Sequence, residues 1–317
     1  MAGGRPAMMP GRIDGGARRV RVIWNQGAGS KGGIPTNGCT RDELVDLMAR
    51  HGLGDDIVES TSEEETRDAT RQAISDGVDV VAAAGGDGTI GLVATELLGT
   101  PVALGIIPLG SVMNIPRMLG LPRDREEAAS ILAAAPIVPI DIGEVDGEPF
   151  YESGSVGLNA ALFREAARFD QGDWLSIMRT IWVALRYRPA RMVLELDGGR
   201  RIRTRALMVT VSNGPYTGAG MAVAPDARLD DGRFDVRVFR GFSKWELTRH
   251  LLSIAFGRRR YEPRISTHRS ARVRVTSVHP LPCRADARDL GVTPVDFSTR
   301  AAALRVVAPR LVDAVSG

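Results

Sequence analysis

The rhythm of apolar and polar positions changes near the middle of the chain. In the first half, short strand-like runs at 20–25 (VRVIWN), 78–84 (VDVVAAA) and 102–107 (VALGII) are separated by helical patterns. An apolar run such as 78–84 predicts a strand buried on both faces. Helices are predicted over Arg41–His51, with Thr40 as N-cap and Gly52 beyond the end, and over Glu63–Asp76. In the second of these, Ser62 and Glu65 have capping-box spacing and Gly77 supplies the stop. Further helices fit Ile90–Leu98 and 124–134. Strands alternating with helices predict a parallel α/β sheet.

After about Asp141 the pattern turns to alternation around turn signals, as in RMVLELDGGRRIRTRALMVTVSN, which predicts antiparallel strands. Two helical stretches, 173–187 and 243–256, interrupt them. The expected fold class is therefore α/β in two domains, a parallel α/β unit followed by a β-rich, antiparallel, sandwich-like unit with helices. The expected boundaries are a disordered tail at 1–19, the first domain at 20–142 and the second at 143–302. A C-terminal segment, 303–317, is able to return to the first domain.

Composition narrows the class. Of 317 residues, 44% are hydrophobic and 25% charged, which suits a globular chain with a real core. No stretch approaches the ~20 apolar residues that cross a bilayer. Residues 1–19 are rich in Gly and Arg without an apolar core segment, so no secretory signal is expected. Cys39 and Cys283 stand far apart, which excludes a disulfide scaffold and points to a reducing compartment. The net charge of +3 hides an asymmetry: residues 164–310 carry 28 Lys+Arg against 14 Asp+Glu, and the remainder 13 against 24. A basic second half fits an anionic partner, and no nucleic-acid recognition motif accompanies it. Trp174, Ile177, Met178, Ile181, Trp182 and Leu185 recur at helical spacing, with Arg179 and Arg186 between them. That stripe fits an interfacial helix, although such stripes usually face a core.

The chemistry concentrates in GGDGT, Gly85–Thr89, between the buried strand and a helix. Adjacent glycines bring bare backbone to a ligand, and the helix start offers unpaired N–H groups suited to phosphate. Asp87 is placed to orient Mg²⁺ or a nucleotide hydroxyl, and Thr89 to donate to a phosphate oxygen. Further on, Asp-Gly at 231–232 is a hairpin-turn signal in its own right. His250, His268 and His279 have no metal-ligand spacing.

These motifs resemble the diacylglycerol-kinase-type lipid kinases of bacteria, over nearly the whole chain after residue 20. Asn25–Lys31 resembles that family's first nucleotide-contacting loop, with Gln26 in place of the usual Pro, and Gly85–Thr89 matches its signature unchanged. Ile107–Arg117 (IPLGSVMNIPR) matches a further nucleotide loop. The resemblance implies that ATP is bound by Asn25, Lys31, Gly85, Gly86, Asp87, Gly88, Thr89, Ser111, Asn114 and Arg117. Asp141 matches an acidic residue at the domain junction. It implies Asp231, with neighbouring carbonyls and Asp230, as a structural Mg²⁺ site, carboxylate and carbonyl oxygen being suited to a hard cation. In 285–295 (ADARDLGVTPV) Asp286 falls on the general base, while Ala287 and Arg288 replace the family's Gly and Glu.

The implied activity is transfer of the γ-phosphate of ATP to a hydroxyl of a membrane lipid, diacylglycerol or a relative. Asp286 would take the proton and Asp87 would stand close to the catalytic Mg²⁺. The implied setting is cytoplasmic and peripheral, on the anionic inner face of a membrane, with a homodimer left open. Two alternatives stand beside it: an NAD-kinase-like enzyme, and a catalytically silent nucleotide- or lipid-binding regulator, the latter motivated by Arg288.

Overall fold

The computed structural model describes residues 18–27, 30, 31, 34, 35, 38–170, 175–218, 220–240, 249 and 265–309. The expected helix at 243–256 apart from residue 249, the arginines at 258–260 and most of the 1–19 tail lie outside the described residues.

In the first half, β1 (Val20–Asn25) is followed by two short strands, β2 (Ser30–Lys31) and β3 (Ile34–Pro35), paired with each other. Then come α1 (Arg41–Arg50), β4 (Ile57–Ser60), α2 (Glu63–Ser75), β5 (Val80–Gly85), α3 (Asp87–Leu97), β6 (Ala103–Pro108), α4 (Asn114–Met118) and α5 (Arg125–Ala134). Strands β4, β1, β5 and β6 lie side by side and parallel. Both faces are covered, which is why β5 and β6 are apolar throughout. On one face Ile23, Val81 and Ala83 pack under Ile90, Val93 and Leu97 of α3. On the other, Val22, Trp24 and Ala82 meet Leu44, Leu47 and Met48 of α1 and Leu132 of α5.

Helix starts follow the local chemistry. Thr40 caps α1 in a full capping box with Glu43. Ser62 accepts from the Glu65 amide, but the Glu65 carboxylate turns away to Thr61, whose amide and hydroxyl it binds at 2.7 and 2.8 Å.

The second half begins with β7 (Ile137–Val145), β8 (Glu148–Phe150) and β9 (Ser153–Gly157), then α6 (Leu158–Asp170) and α7 (Leu175–Arg186). It continues through β10 (Ala190–Leu196), β11 (Arg200–Ser212), β12 (Tyr216–Thr217), β13 (Met221–Ala222), β14 (Phe234–Arg240), β15 (Ile265–Ser270), β16 (Arg272–Ser277), β17 (Pro282–Ala285), β18 (Arg288–Val292) and β19 (Val295–Val307). Antiparallel pairing dominates, in the order β18-β17-β9-β11-β10-β16-β19. The core of this half is built around Phe150, Phe234 and Phe297, with ring centroids 5.6 and 5.9 Å apart. The expected fold class is the observed one: a parallel α/β half joined to a β-rich antiparallel half.

A single long strand joins the halves. β19 pairs antiparallel with β16 and β7 and then parallel with β6 at Val306 and Leu104, so one sheet runs through the molecule. Asp141 of β7 sits at this junction, buried. Its carboxylate accepts from the amides of Gly232 (2.6 Å) and Ala302 (2.8 Å), tying a surface turn to the bulge in β19. On α7, Met178 and Trp182 are 67% and 56% exposed, so this part of the apolar stripe faces away from the core. The side chains of Trp174, Ile177, Ile181 and Leu185 lie outside the described residues.

Candidate active site

Three parallel strands end together: β1 at Asn25, β5 at Gly85 and β6 at Pro108. In open α/β sheets, ligands bind beyond the carboxyl ends of the strands. Here the Leu109 amide donates to the Gly85 carbonyl (3.0 Å). Asn25 Nδ2 donates to Thr89 Oγ1 (3.0 Å), and Asn25 Oδ1 accepts from the Gly27 amide (2.9 Å). Glycine is required at 85, because a Cβ there would lie 2.6 Å from the Thr89 side chain. Gly86 is the N-cap of α3 in extended backbone, and no side chain caps the helix. Gly88 is exposed, and a Cβ built on it would meet nothing within 4 Å. The first turn of α3 therefore presents uncapped amides at the positive end of a helix dipole, the arrangement that binds phosphate.

Asp87 joins two loops. Its two oxygens accept the amides of Asn114 (3.0 Å) and Ile115 (2.9 Å), capping the short α4 and locking the loop after β6 to the loop after β5. Met113, in the left-handed region at φ 60°, makes the turn into that helix. Asn114 then reaches across to the second half, its Nδ2 donating to Glu152 Oε2 (2.9 Å) and to the Gly218 carbonyl (2.8 Å). Its Oδ1 is buried without a hydrogen-bond partner. Arg117, exposed, stacks 3.9 Å above the Tyr216 ring and donates to the Gly220 carbonyl (3.2 Å). Ser111 is half-buried, and its carbonyl accepts from Arg123 (2.6 Å). Lys31 belongs to β2, and its side chain lies outside the described residues.

Asp286, in the other half, binds the backbone on both sides of Glu152. In the left-handed region at φ 47°, it accepts amide hydrogens from Tyr151 (2.7 Å), Glu152 (2.9 Å) and Ser153 (3.0 Å). Burial pushes its carboxyl up, while these three amides pull the other way. Beside it stands Glu152, which the sequence reading missed. Glu152 Oε2 accepts from Asn114 and from the Gly218 amide (3.1 Å), whereas Oε1 takes no hydrogen bond from the described residues. Burial, reinforced by the charges of Asp286 and Asp87, drives this carboxyl up to about 8. The only hint in the sequence is a lone charged residue wedged between Phe150–Tyr151 and the small-residue run SGSVG.

Arg288 points elsewhere: its Nη1 lies 3.4 Å from Glu148 on β8. The expected cation site also looks different in place. Asp230 is engaged by Arg228 (3.0 Å), and Asp231 by the Arg233 amide (3.0 Å) and Arg269 (3.5 Å). No cluster of three or more His, Cys, Asp or Glu residues able to hold a metal occurs among the described residues. As arranged, Asp230 and Asp231 each have an arginine beside them.

Comparison with known proteins accounts for both halves. The family described as the diacylglycerol kinase catalytic domain matches residues 19–145, and the family described as the YegS C-terminal NAD kinase beta sandwich-like domain matches residues 155–308. The diacylglycerol kinase of Bacillus subtilis (strain 168) is 25% identical over 304 residues, covering 92% of this chain and 97% of that one. A probable lipid kinase YegS-like protein of Klebsiella pneumoniae (strain 342) is 32% identical over 209 residues, 63% of this chain and 69% of that one. Among solved structures, a putative diacylglycerol kinase from Bacillus anthracis str. Sterne superposes with a TM-score of 0.73 at 22% identity, covering 93% of this chain and 99% of that one. Family matches over both halves and relatives matched along almost the full length lead to one conclusion: the chain belongs to the bacterial diacylglycerol-kinase-type lipid kinase family.

Proposed function

We propose that the chain is an ATP-dependent lipid kinase that moves the γ-phosphoryl group of ATP to a lipid hydroxyl. The observation that carries this reading is the uncapped start of α3, linked through Asp87 and Asn114 to the carboxylates of Glu152 and Asp286. Phosphoryl transfer asks mainly for positioning and charge neutralisation. The triphosphate rests on the amides of Gly86–Thr89, with Asn25, Lys31, Ser111 and Arg117 around it. Asp87 and Asn114 hold the two phosphate loops in one geometry. Magnesium brought with ATP would neutralise charge on the phosphate oxygens.

In the transfer, a lone pair of the lipid hydroxyl oxygen forms the new bond to the γ-phosphorus. The bond to the β-phosphate oxygen breaks, and its electron pair leaves with ADP. The hydroxyl proton passes to a carboxylate and then to solvent. Asp286 has its oxygens committed to three amides, so Glu152, with Oε1 open, is the proposed proton acceptor, and Asp286 is the neighbouring charge that raises its basicity. A base whose pKa lies near the working pH is well matched to this task.

The acceptor lies in a membrane, and no described helix is long and apolar enough to cross one. Peripheral docking on the cytoplasmic face is proposed instead, through the exposed Met178 and Trp182 of α7 and the arginines of the adjoining sheet. The test is incubation with γ-labelled ATP and a lipid extract of the host, followed by chromatography of the lipids. A labelled phospholipid product supports the proposal. ATP binding without any labelled lipid contradicts it and favours the silent regulator.

A further inference from the structure

Two adjacent residues part company where the halves meet. Phe150 lies in the phenylalanine core of the second half, whereas Tyr151 joins Ile90, Val93 and Leu97 of α3 in the core of the first. A second-half side chain is thus lodged against the helix that begins with the phosphate motif. The Tyr151 ring lies against Gly91, where an added Cβ would be 3.7 Å away, and its hydroxyl is 2.8 Å from Thr95 Oγ1. Thr95 gives its own hydrogen to the Gly91 carbonyl (2.7 Å), so in this pair the tyrosine donates. Tyr151 is 7% exposed, and burial pushes its phenol pKa up, so it keeps its proton across the neutral range.

The backbone of the same residue belongs to the carboxylates. Its amide donates to Asp286 (2.7 Å), the Glu152 amide does likewise (2.9 Å), and its carbonyl accepts from Asn213 Nδ2 (3.2 Å). The Glu152 carbonyl takes the amides of Asn213 (3.0 Å) and Gly214 (3.2 Å). With the backbone tied on both sides, a displacement of the Tyr151 ring carries Glu152 and Asp286 with it. α3 is therefore held to the carboxylates twice. Asp87, in its first turn, reaches Glu152 through Asn114, and Thr95, about two turns further along, reaches it through Tyr151. A helix tied at one point can pivot, whereas a helix tied at two keeps one angle.

We propose that Tyr151 is a positioning residue for phosphoryl transfer: its hydroxyl on Thr95 sets the angle of the phosphate helix to the Glu152–Asp286 pair. The proposal rests on the lipid-kinase reading and adds a residue to it. Transfer needs the γ-phosphorus, the acceptor oxygen and the base in one geometry, and a misplacement of about 1 Å can cost about 10²-fold in rate. The amides that would hold ATP lie in the first turn of α3, away from Thr95. The contact is therefore expected to govern turnover and not nucleotide affinity.

The test is a mutant cycle on the hydroxyl pair, measuring kcat and the KM for ATP with γ-labelled ATP and micelles of the host's lipid extract. Tyr151→Phe and Thr95→Val should each lower kcat about tenfold, with the KM for ATP within about twofold of the wild type. The double variant should also lose about tenfold, not the roughly hundredfold of two independent effects, because both changes cut one contact. Thr95→Ser keeps the hydroxyl and should keep kcat. Stability should rank differently. Thr95→Val leaves a buried phenol without its acceptor and should lower Tm more than Tyr151→Phe, in which Thr95 still donates to Gly91. A merely structural pair would leave kcat at the wild-type level in every folded variant, whatever its Tm, and that outcome overturns the proposal. Additive losses in the double variant, a raised KM with kcat unchanged, or a Thr95→Ser loss as large as that of Thr95→Val overturn it too. Each of these results comes with labelled lipid from the wild type and leaves the kinase reading standing, whereas no labelled lipid even from the wild type sinks both.

Discussion

Glu152 shows how surroundings change a side chain of ordinary acidity. Its raised carboxyl pKa carries a sign that can be checked. A carboxyl raised above its unfolded value stabilises the fold fully below that value, and the contribution is lost as pH rises through the folded pKa of about 8. The wild type should therefore lose thermal stability relative to Glu152→Gln between about pH 5 and about pH 8, so that the Tm gap widens with pH. Over the same range wild-type kcat/KM should climb, and Glu152→Gln should flatten the profile and lower the rate by about 10²–10⁴-fold. A constant Tm gap and an unchanged pH profile would place the proton elsewhere. Gly85–Thr89 could be read from the sequence because its chemistry is local, five consecutive residues between a strand and a helix. Glu152 could not, since its environment comes from Asn114, Gly218 and Asp286, which lie 38, 66 and 134 positions away.

At the scale of elements, the legible parts were those with strong periodicity and local caps. α1, α2, α5 and the central parallel strands follow from buried apolar runs and from capping residues such as Thr40, Ser62 and Asp124. α4 has only five residues, too few to show a period, and exists because Asp87 caps it from another loop. α3 begins at Asp87, three residues before the expected Ile90, because the glycine motif is itself its first turn. β19 draws its meaning from both halves, and Asp141 secures it by joining amides 91 and 161 positions away. Asp141→Ala would strand both amides in a partly buried junction, a loss of about 2–4 kcal/mol of stability. Thermal denaturation should show it as a drop in Tm, and a variant as stable as the wild type would mean that water replaces the carboxylate without loss.

Across the whole molecule, the asymmetry of charge acquires a direction. Arg201, Arg203 and Arg205 alternate on β11 and are exposed, with Arg191 and Arg274 on the neighbouring strands β10 and β16. Arginines 191 and 205 even stand directly opposite each other, a pairing that repels unless an anionic partner is present. With Met178 and Trp182 exposed on α7, the second half carries both the charge and the apolar side chains that the proposed peripheral docking would use. Vesicle sedimentation should show binding that rises with anionic lipid, weakens with salt and falls several-fold in Trp182→Ala. Binding indifferent to all three would remove the membrane from the account. From the sequence, the charge could be counted but not oriented, because orientation depends on which strand faces turn outward.

If the uncapped amides of α3 grip the phosphates of ATP, Gly88→Asp should weaken that grip. A side chain at 88 has open space, and a carboxylate in the first turn of a helix favours the fold. The same carboxylate occupies and repels the anion site. Calorimetric titration of ATP into both proteins should find Gly88→Asp folded, at least as heat-stable as the wild type, and weaker in ATP affinity by about tenfold or more. Equal affinity in the two proteins would show that the triphosphate binds somewhere else.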